Sequence, residues 1–343
     1  MTVRRVLQGL GVLVLLAAAG AGVAAKIVSD RLALPAVPEG RALDLVIAPG
    51  SSFRGVANDL AAAGGYPHPK LLSVYARWRK VAGDVRAGEY QLAPGLSVDA
   101  FLAQVTRGDV VLHSVTVIEG WTFREFVAAL HADDRIEPTL AGKTAEEIMQ
   151  ALGYGDEHPE GRFFPDTYRF ERGTTDAAIL RQAYEAMAAQ LASTWAGRSG
   201  DCPLDSAYEA LTLASIIEKE TGRDDEREKI AGVFCRRLKK GMRLQTDPTV
   251  IYGIGPDFNG DITRRDLRTD TPYNTYTRGG LPPTPIALPG AASVRASVNP
   301  EAGEALYFVA TGRDDGSHYF SSTLAEHEAA VTRYLKAIRA RRP

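Results

Sequence analysis

Several chemistries are missing from this chain. His318 and His327 lie nine residues apart, and neither joins a second His, Cys or carboxylate at a metal-ligand spacing, which argues against a zinc site. There is no nucleophile-elbow signature for a Ser-His-Asp hydrolase and no Gly-rich motif that would cradle phosphate. Lys plus Arg number 40 against 42 Asp plus Glu, with no basic run interleaved with aromatics, so nucleic acid is not an expected partner. Cys202 and Cys235 are the only cysteines; they suit either a disulfide in an oxidising compartment or buried thiols, Cys235 falling in the apolar run of an expected helix.

What is present is a globular composition, 45% hydrophobic and 24% charged over 343 residues, enough for two or three domains. Arg4 and Arg5 precede Val6 to Ala25, 20 residues without a charge, long enough to span a bilayer. A cleaved signal peptide ending near Val23-Ala24-Ala25 is the competing reading, and the full spanning length favours an anchor. The arginines before the span leave the N-terminus in the cytoplasm and everything after residue 30 outside. A Pro- and Gly-containing spacer, Leu34 to Gly40, follows.

A repeat comes next. Val46-Ile47-Ala48-Pro49-Gly50-Ser51-Ser52-Phe53, then Val56 and Leu60, matches Val117-Ile118-Glu119-Gly120-Trp121-Thr122-Phe123, then Phe126 and Leu130, with a shorter copy at Leu92-Ala93-Pro94-Gly95-Leu96-Ser97-Val98 and Phe101. Each copy reads as a strand, a turn glycine, a hydroxyl N-cap and an amphipathic helix; Thr122 and Glu125 have capping-box spacing. Such a unit resembles the LysM module, which binds the N-acetylglucosamine-containing backbone of peptidoglycan and chitin, although the same pattern serves simple packing units. From Thr144 to Arg198 the pattern is helical except for the aromatic, turn-rich Glu160 to Tyr168, either a groove wall or a structural corner.

Ser206 to Thr221 reads as a helix that is apolar nearly all round and ends in two glutamates, Glu218 and Glu220. At 100° per residue these point about 200° apart and cannot work side by side. A carboxyl projecting from an apolar helix into a partly desolvated cleft should have a raised pKa, as a general acid near neutral pH requires. Either glutamate equally suits an ion pair with Arg223, Arg227 or Arg243. Farther on, Thr246 or Asp247 is placed to cap a Pro-started helix. The loops Asp270 to Tyr276 and Gly279 to Ile286 are dense in aromatic and amide groups, an inventory for stacking and hydrogen bonding to sugars.

Together Ala214-Ser215-Ile216-Ile217-Glu218-Lys219-Glu220-Thr221, Leu244-Gln245-Thr246-Asp247-Pro248-Thr249-Val250-Ile251-Tyr252, Tyr273-Asn274-Thr275-Tyr276 and Gly280-Leu281-Pro282-Pro283 resemble the MltG (YceG-like) endolytic murein transglycosylases. One departure is Ser321, where Asn is commoner. The resemblance implies an α+β protein with a single N-terminal transmembrane helix, a LysM-like subdomain and a mixed α/β catalytic domain of the YceG-like type. The corresponding boundaries are 1–30 for the cytoplasmic tip and anchor, 31–43 for the linker, 44–112 for the LysM-like part and 113–343 for the catalytic part.

The resemblance also implies Glu218 as the catalytic residue, Glu220 as at most a supporting one, and Gln245, Asp247, Tyr273, Asn274 and Tyr276 along the glycan groove. The implied reaction is non-hydrolytic cleavage of the β-1,4 bond between N-acetylmuramic acid and N-acetylglucosamine, leaving 1,6-anhydro-muramoyl ends, with one Glu as acid and then base and no metal or organic cofactor. The sequence offers no second carboxylate on the face of Glu218, Asp247 being the main candidate for one. The implied location is the inner membrane with the catalytic domain in the periplasm. The peptidoglycan synthases it meets are left open, as are a non-catalytic glycan-binding scaffold and a hydrolytic muramidase.

Overall fold

A computed structural model describes residues 3–341. Helix α1 (Val3–Leu32) contains a 23-residue stretch, Leu10–Leu32, long and apolar enough to cross a membrane. The chain divides into two compact units, one reaching to His113 and taking in Phe170–Gly173, the other formed by Ser114–Arg169 and the chain from Thr174 onward.

In the first unit β1 (Leu43–Ile47) pairs antiparallel with β2 (Gly88–Leu92), with α2 (Phe53–Ala62) and α3 (Pro69–Trp78) between them in sequence. The alternation of strand β1, with Leu43, Leu45 and Ile47 buried and the residues between them exposed, turns one face onto a core with Leu60, Leu72, Tyr90 and Phe101. Helix α4 (Val98–Arg107) closes this core.

The repeat is realised three times. Gly50, Gly95 and Gly120 each take a positive φ after their strand, and Ser52, Ser97 and Thr122 accept a backbone N–H at the start of α2, α4 and α5 (Phe123–Ala132). The third copy follows β3 (Leu112–Thr116) and carries the full capping box: Thr122 N donates to Glu125 at 2.7 Å and Glu125 N to Thr122 Oγ1 at 3.3 Å. Thr122→Ala is expected to lower the unfolding free energy by about 1 kcal/mol, read from urea denaturation.

The second unit continues with α6 (Ala145–Leu152), β4 (Thr167–Glu171), which pairs with β3, and the long α7 (Asp176–Ala196). Next come α8 (Ala207–Glu220), α9 (Arg227–Lys239), α10 (Asp247–Ile254) and α11 (Ala291–Val298), then the β5 (Tyr307–Ala310) and β6 (His318–Ser321) pair, and α12 (Leu324–Arg341). Helix α8 is capped by Ser206 as its sequence predicts, and α7, α9, α10 and α11 pack around it. Its all-round apolarity is thereby explained: Leu213, Ile216 and Ile217 face Ile230, Phe234 and Leu244, whereas Leu211 and Ala214 face Met187 and Val294. Burying each large aliphatic chain here contributes about 1.5–3 kcal/mol. Cys202 and Cys235 form a disulfide that joins the segment before α8 to α9, deciding between the two states the sequence allowed.

Candidate active site

The polar end of α8 divides as helical geometry requires, Glu218 and Glu220 leaving it in different directions. On the Glu218 side, Ile286 N donates to Ser215 Oγ at 2.9 Å and Gly290 N to Glu218 Oε2 at 3.0 Å, so the segment before α11 lies along one face of α8. Gly290 is the N-cap of α11, and the Glu218 carboxylate therefore sits at the positive end of that helix. Arg227 Nη2 approaches Glu218 Oε1 at 3.5 Å, and its guanidinium is steadied by Ser293 Oγ at 3.1 Å and by Asp224. A backbone N–H and a guanidinium both complement the negative charge of this carboxylate, whose side chain is only 6% exposed.

A second carboxylate reaches the same guanidinium. Glu119 Oε2 lies 3.9 Å from Arg227 Nη2 with its side chain 49% exposed, so it faces solvent where Glu218 does not. Its turn is pinned by Gly120 N to Leu288 O at 2.8 Å, Leu288 N to Trp121 O at 2.6 Å, and Lys219 Nζ to Gly120 O at 3.1 Å. Burial, followed by the charge of Glu218, raises the Glu119 pKa, with Arg227 opposing. The expectation that no second carboxylate joins Glu218 is corrected here: Glu119 arrives from another segment, and Asp247 faces a different cavity.

On the other side, Glu220, Gln245, Asp247 and Tyr276 line one cavity of about 500 Å³ with Arg237, Tyr307 and His327. Thr246 donates its hydroxyl to Glu220, Tyr276 Oη donates to Asp247 Oδ1 at 2.6 Å, and burial raises the Glu220 pKa. Neither Thr246 nor Asp247 caps α10 with its side chain, because both are engaged across this cavity. Gln245 holds a positive φ of 53°, a strained backbone that non-glycine residues adopt where tertiary contacts impose it.

Two residues expected in the groove have partners within the fold. Asn274, 1% exposed, donates its amide to Asp266 O and Thr269 O and accepts from Tyr276 N, so it holds the loop and leaves nothing for a ligand. Tyr273 packs on Tyr252 and hydrogen-bonds Thr284 at 2.8 Å. Beside them is a cavity of about 340 Å³ lined by Thr122, Arg124, Glu160 and Tyr252. Glu160 accepts from Phe123 N at 2.9 Å and Tyr252 Oη at 3.1 Å, and burial pushes its pKa up to about 7.

Glu119 was not among the residues expected at the site, and Glu160 was expected only as part of a segment that forms either a groove wall or a structural corner. The repeat held a signal for the first: where the other two copies have Pro49 and Pro94 before the turn glycine, this one has Glu119. Glu160 opens the aromatic, turn-rich segment noted in the sequence, but its partners come from α5 and α10.

An α+β unit whose polar centre is a shielded carboxylate beside an arginine and a second, more exposed carboxylate defines a candidate acid–base centre. The model of the YceG-like family matches residues 45–333, and the chain belongs to this family. It is 31% identical to the endolytic murein transglycosylase of Bacillus subtilis strain 168, over 86% of this chain and 85% of that one. It is 27% identical to the endolytic murein transglycosylase of Streptococcus pneumoniae strain D39, over 84% of this chain but 57% of that longer protein. The crystal structure of a YceG-like protein from Listeria monocytogenes superposes with a TM-score of 0.52 at 30% identity, covering 84% of this chain and 99% of that one.

Proposed function

We propose that this protein is an endolytic murein transglycosylase that cuts the β-1,4 bond between N-acetylmuramic acid and N-acetylglucosamine without water, leaving 1,6-anhydro-muramoyl ends, with Glu218 as its catalytic residue. The names of the Bacillus and Streptococcus relatives support the activity. The observation that carries the site is the Glu218 carboxylate held between Arg227 and Gly290 N. The reaction delivers one proton to the leaving oxygen and removes one from the muramoyl 6-hydroxyl; in its simplest form Glu218 makes both transfers in turn. Glu220, Gln245, Asp247 and Tyr276 line a cavity on the other side of α8 from Glu218, to which we assign glycan units away from the bond that is cut, Tyr273 and Asn274 shaping the loops behind it.

Helix α1 would serve as a single-pass anchor in the inner membrane with the catalytic unit in the periplasm, close to nascent strands and their synthases. Its spanning length and the disulfide, a bond of oxidising compartments, support this placement. Product analysis of digested sacculi tests the reading: anhydro ends are expected, reducing ends would make the protein a muramidase, and binding without fragments would make it a scaffold. We assign glycan binding to the LysM-like segment as well. Deleting residues 44–110 is expected to weaken sacculus binding in a pull-down, and unchanged binding would remove that role.

A further inference from the structure

Glu119 occupies a position that a passive surface carboxylate does not need. Its carboxylate lies where a Cβ on Gly290 would be, so the glycine makes room for it; Gly290 has φ −75° and ψ 167°, which alanine adopts freely, so no backbone requirement explains the glycine. The same Gly290 donates its N–H to Glu218, and the same Arg227 faces both carboxylates. Three tethers from the 288 segment and α8 hold the Glu119 turn in place. The charged groups around Glu119 are Glu218, Asp224 and Arg227, with Lys219 on the neighbouring carbonyl.

From this geometry we propose that Glu119 is the proton donor of the centre and that Glu218 acts as the base, so the two transfers are divided between two carboxyls. The proposal rests on the transglycosylase reading for its reaction. The bond from muramoyl C1 to the leaving oxygen breaks with its electron pair going to that oxygen, which takes the proton of Glu119. The 6-oxygen bonds to C1 and releases its proton to Glu218. That proton then passes from Glu218 to Glu119, restoring both groups with no water consumed. The more exposed carboxyl is thus the one that meets the leaving oxygen, and the shielded one is neutralised by the guanidinium and helix end between turnovers. Burial and the charge of Glu218 raise the Glu119 pKa, the direction a proton donor needs, with Arg227 opposing.

The experiment compares the full chain in detergent with Glu119→Gln, Glu119→Asp and Gly290→Ala on isolated sacculi, counting anhydro-muramoyl ends by mass spectrometry from pH 5 to 9. Wild type should slow as pH rises through the Glu119 pKa. Glu119→Gln should be slower on the order of 100-fold and lose that alkaline fall, sacculus binding staying unchanged, with Glu119→Asp regaining part of the rate. Wild-type rate and an unchanged alkaline fall in Glu119→Gln would overturn the proposal and leave Glu218 making both transfers alone. Should Glu119→Gln lose its circular dichroism signature, Gly290→Ala decides instead, since it keeps both carboxyls and displaces one: a reduced rate with a displaced alkaline fall supports the division, and an unchanged rate and profile overturn it. Absence of anhydro ends from wild type would instead sink the transglycosylase reading itself.

Discussion

Glu218→Gln is expected to abolish the formation of anhydro-muramoyl ends, a loss on the order of 10³-fold or more, while the protein stays folded and still binds sacculi. The amide oxygen can go on accepting from Gly290 N, so the segment before α11 keeps its attachment to α8. Removing one partner of a buried ion pair ordinarily costs several kcal/mol because the other charge is left uncompensated. Here Arg227 retains Asp224, Ser293 and Glu119, which limits that cost. Circular dichroism together with muropeptide mass spectrometry checks both halves of the expectation; a variant that still makes anhydro ends at the normal rate would remove Glu218 from the chemistry.

Replacing Glu160 by Gln is expected to stabilise the second unit above pH 7. The Glu160 carboxyl, ordinarily near 4.5, is pushed to about 7 by burial, which outweighs its bonds from Phe123 N and Tyr252 Oη. Between those pH values the folded form keeps a proton that the unfolded chain has released. Stability therefore falls as pH rises through that window, and it is highest below the unfolded value. The shift corresponds to about 3 kcal/mol at most. Glutamine keeps the shape of the neutral acid, accepting from Phe123 N and donating to Tyr252 Oη, and does not titrate. Denaturation midpoints of wild type should decline between pH 5 and 8 and those of Glu160→Gln should stay more level. A parallel decline in both would refute this account of Glu160.

Much of the architecture was legible because it is local. Caps such as Ser52, Ser97, Thr122 and Ser206 bond to N–H groups three residues away, and the three turn glycines sit where a strand must reverse into a helix, so neighbouring residue types announce both. The divergence of Glu218 and Glu220 follows from helical pitch alone. Asn274 was misread for the opposite reason: an amide in an aromatic loop looks like a sugar ligand until its partners, the carbonyls of Asp266 and Thr269, are seen to consume it.

The sequence by itself therefore determined the membrane-length helix, the repeated strand-turn-helix units, the family and the helix that carries the two glutamates. Only the tertiary structure decided what each glutamate faces: Arg227, Gly290 and Glu119 for Glu218, and Thr246 beside Asp247 and Tyr276 for Glu220. It likewise decided that Cys202 and Cys235 are joined. The physical reason is range. Capping and helical periodicity act over three or four residues, whereas the meeting of the Glu119 turn, α8, α9 and the start of α11 comes from burying the apolar faces of α8 among its neighbours, and no spacing within one segment encodes it.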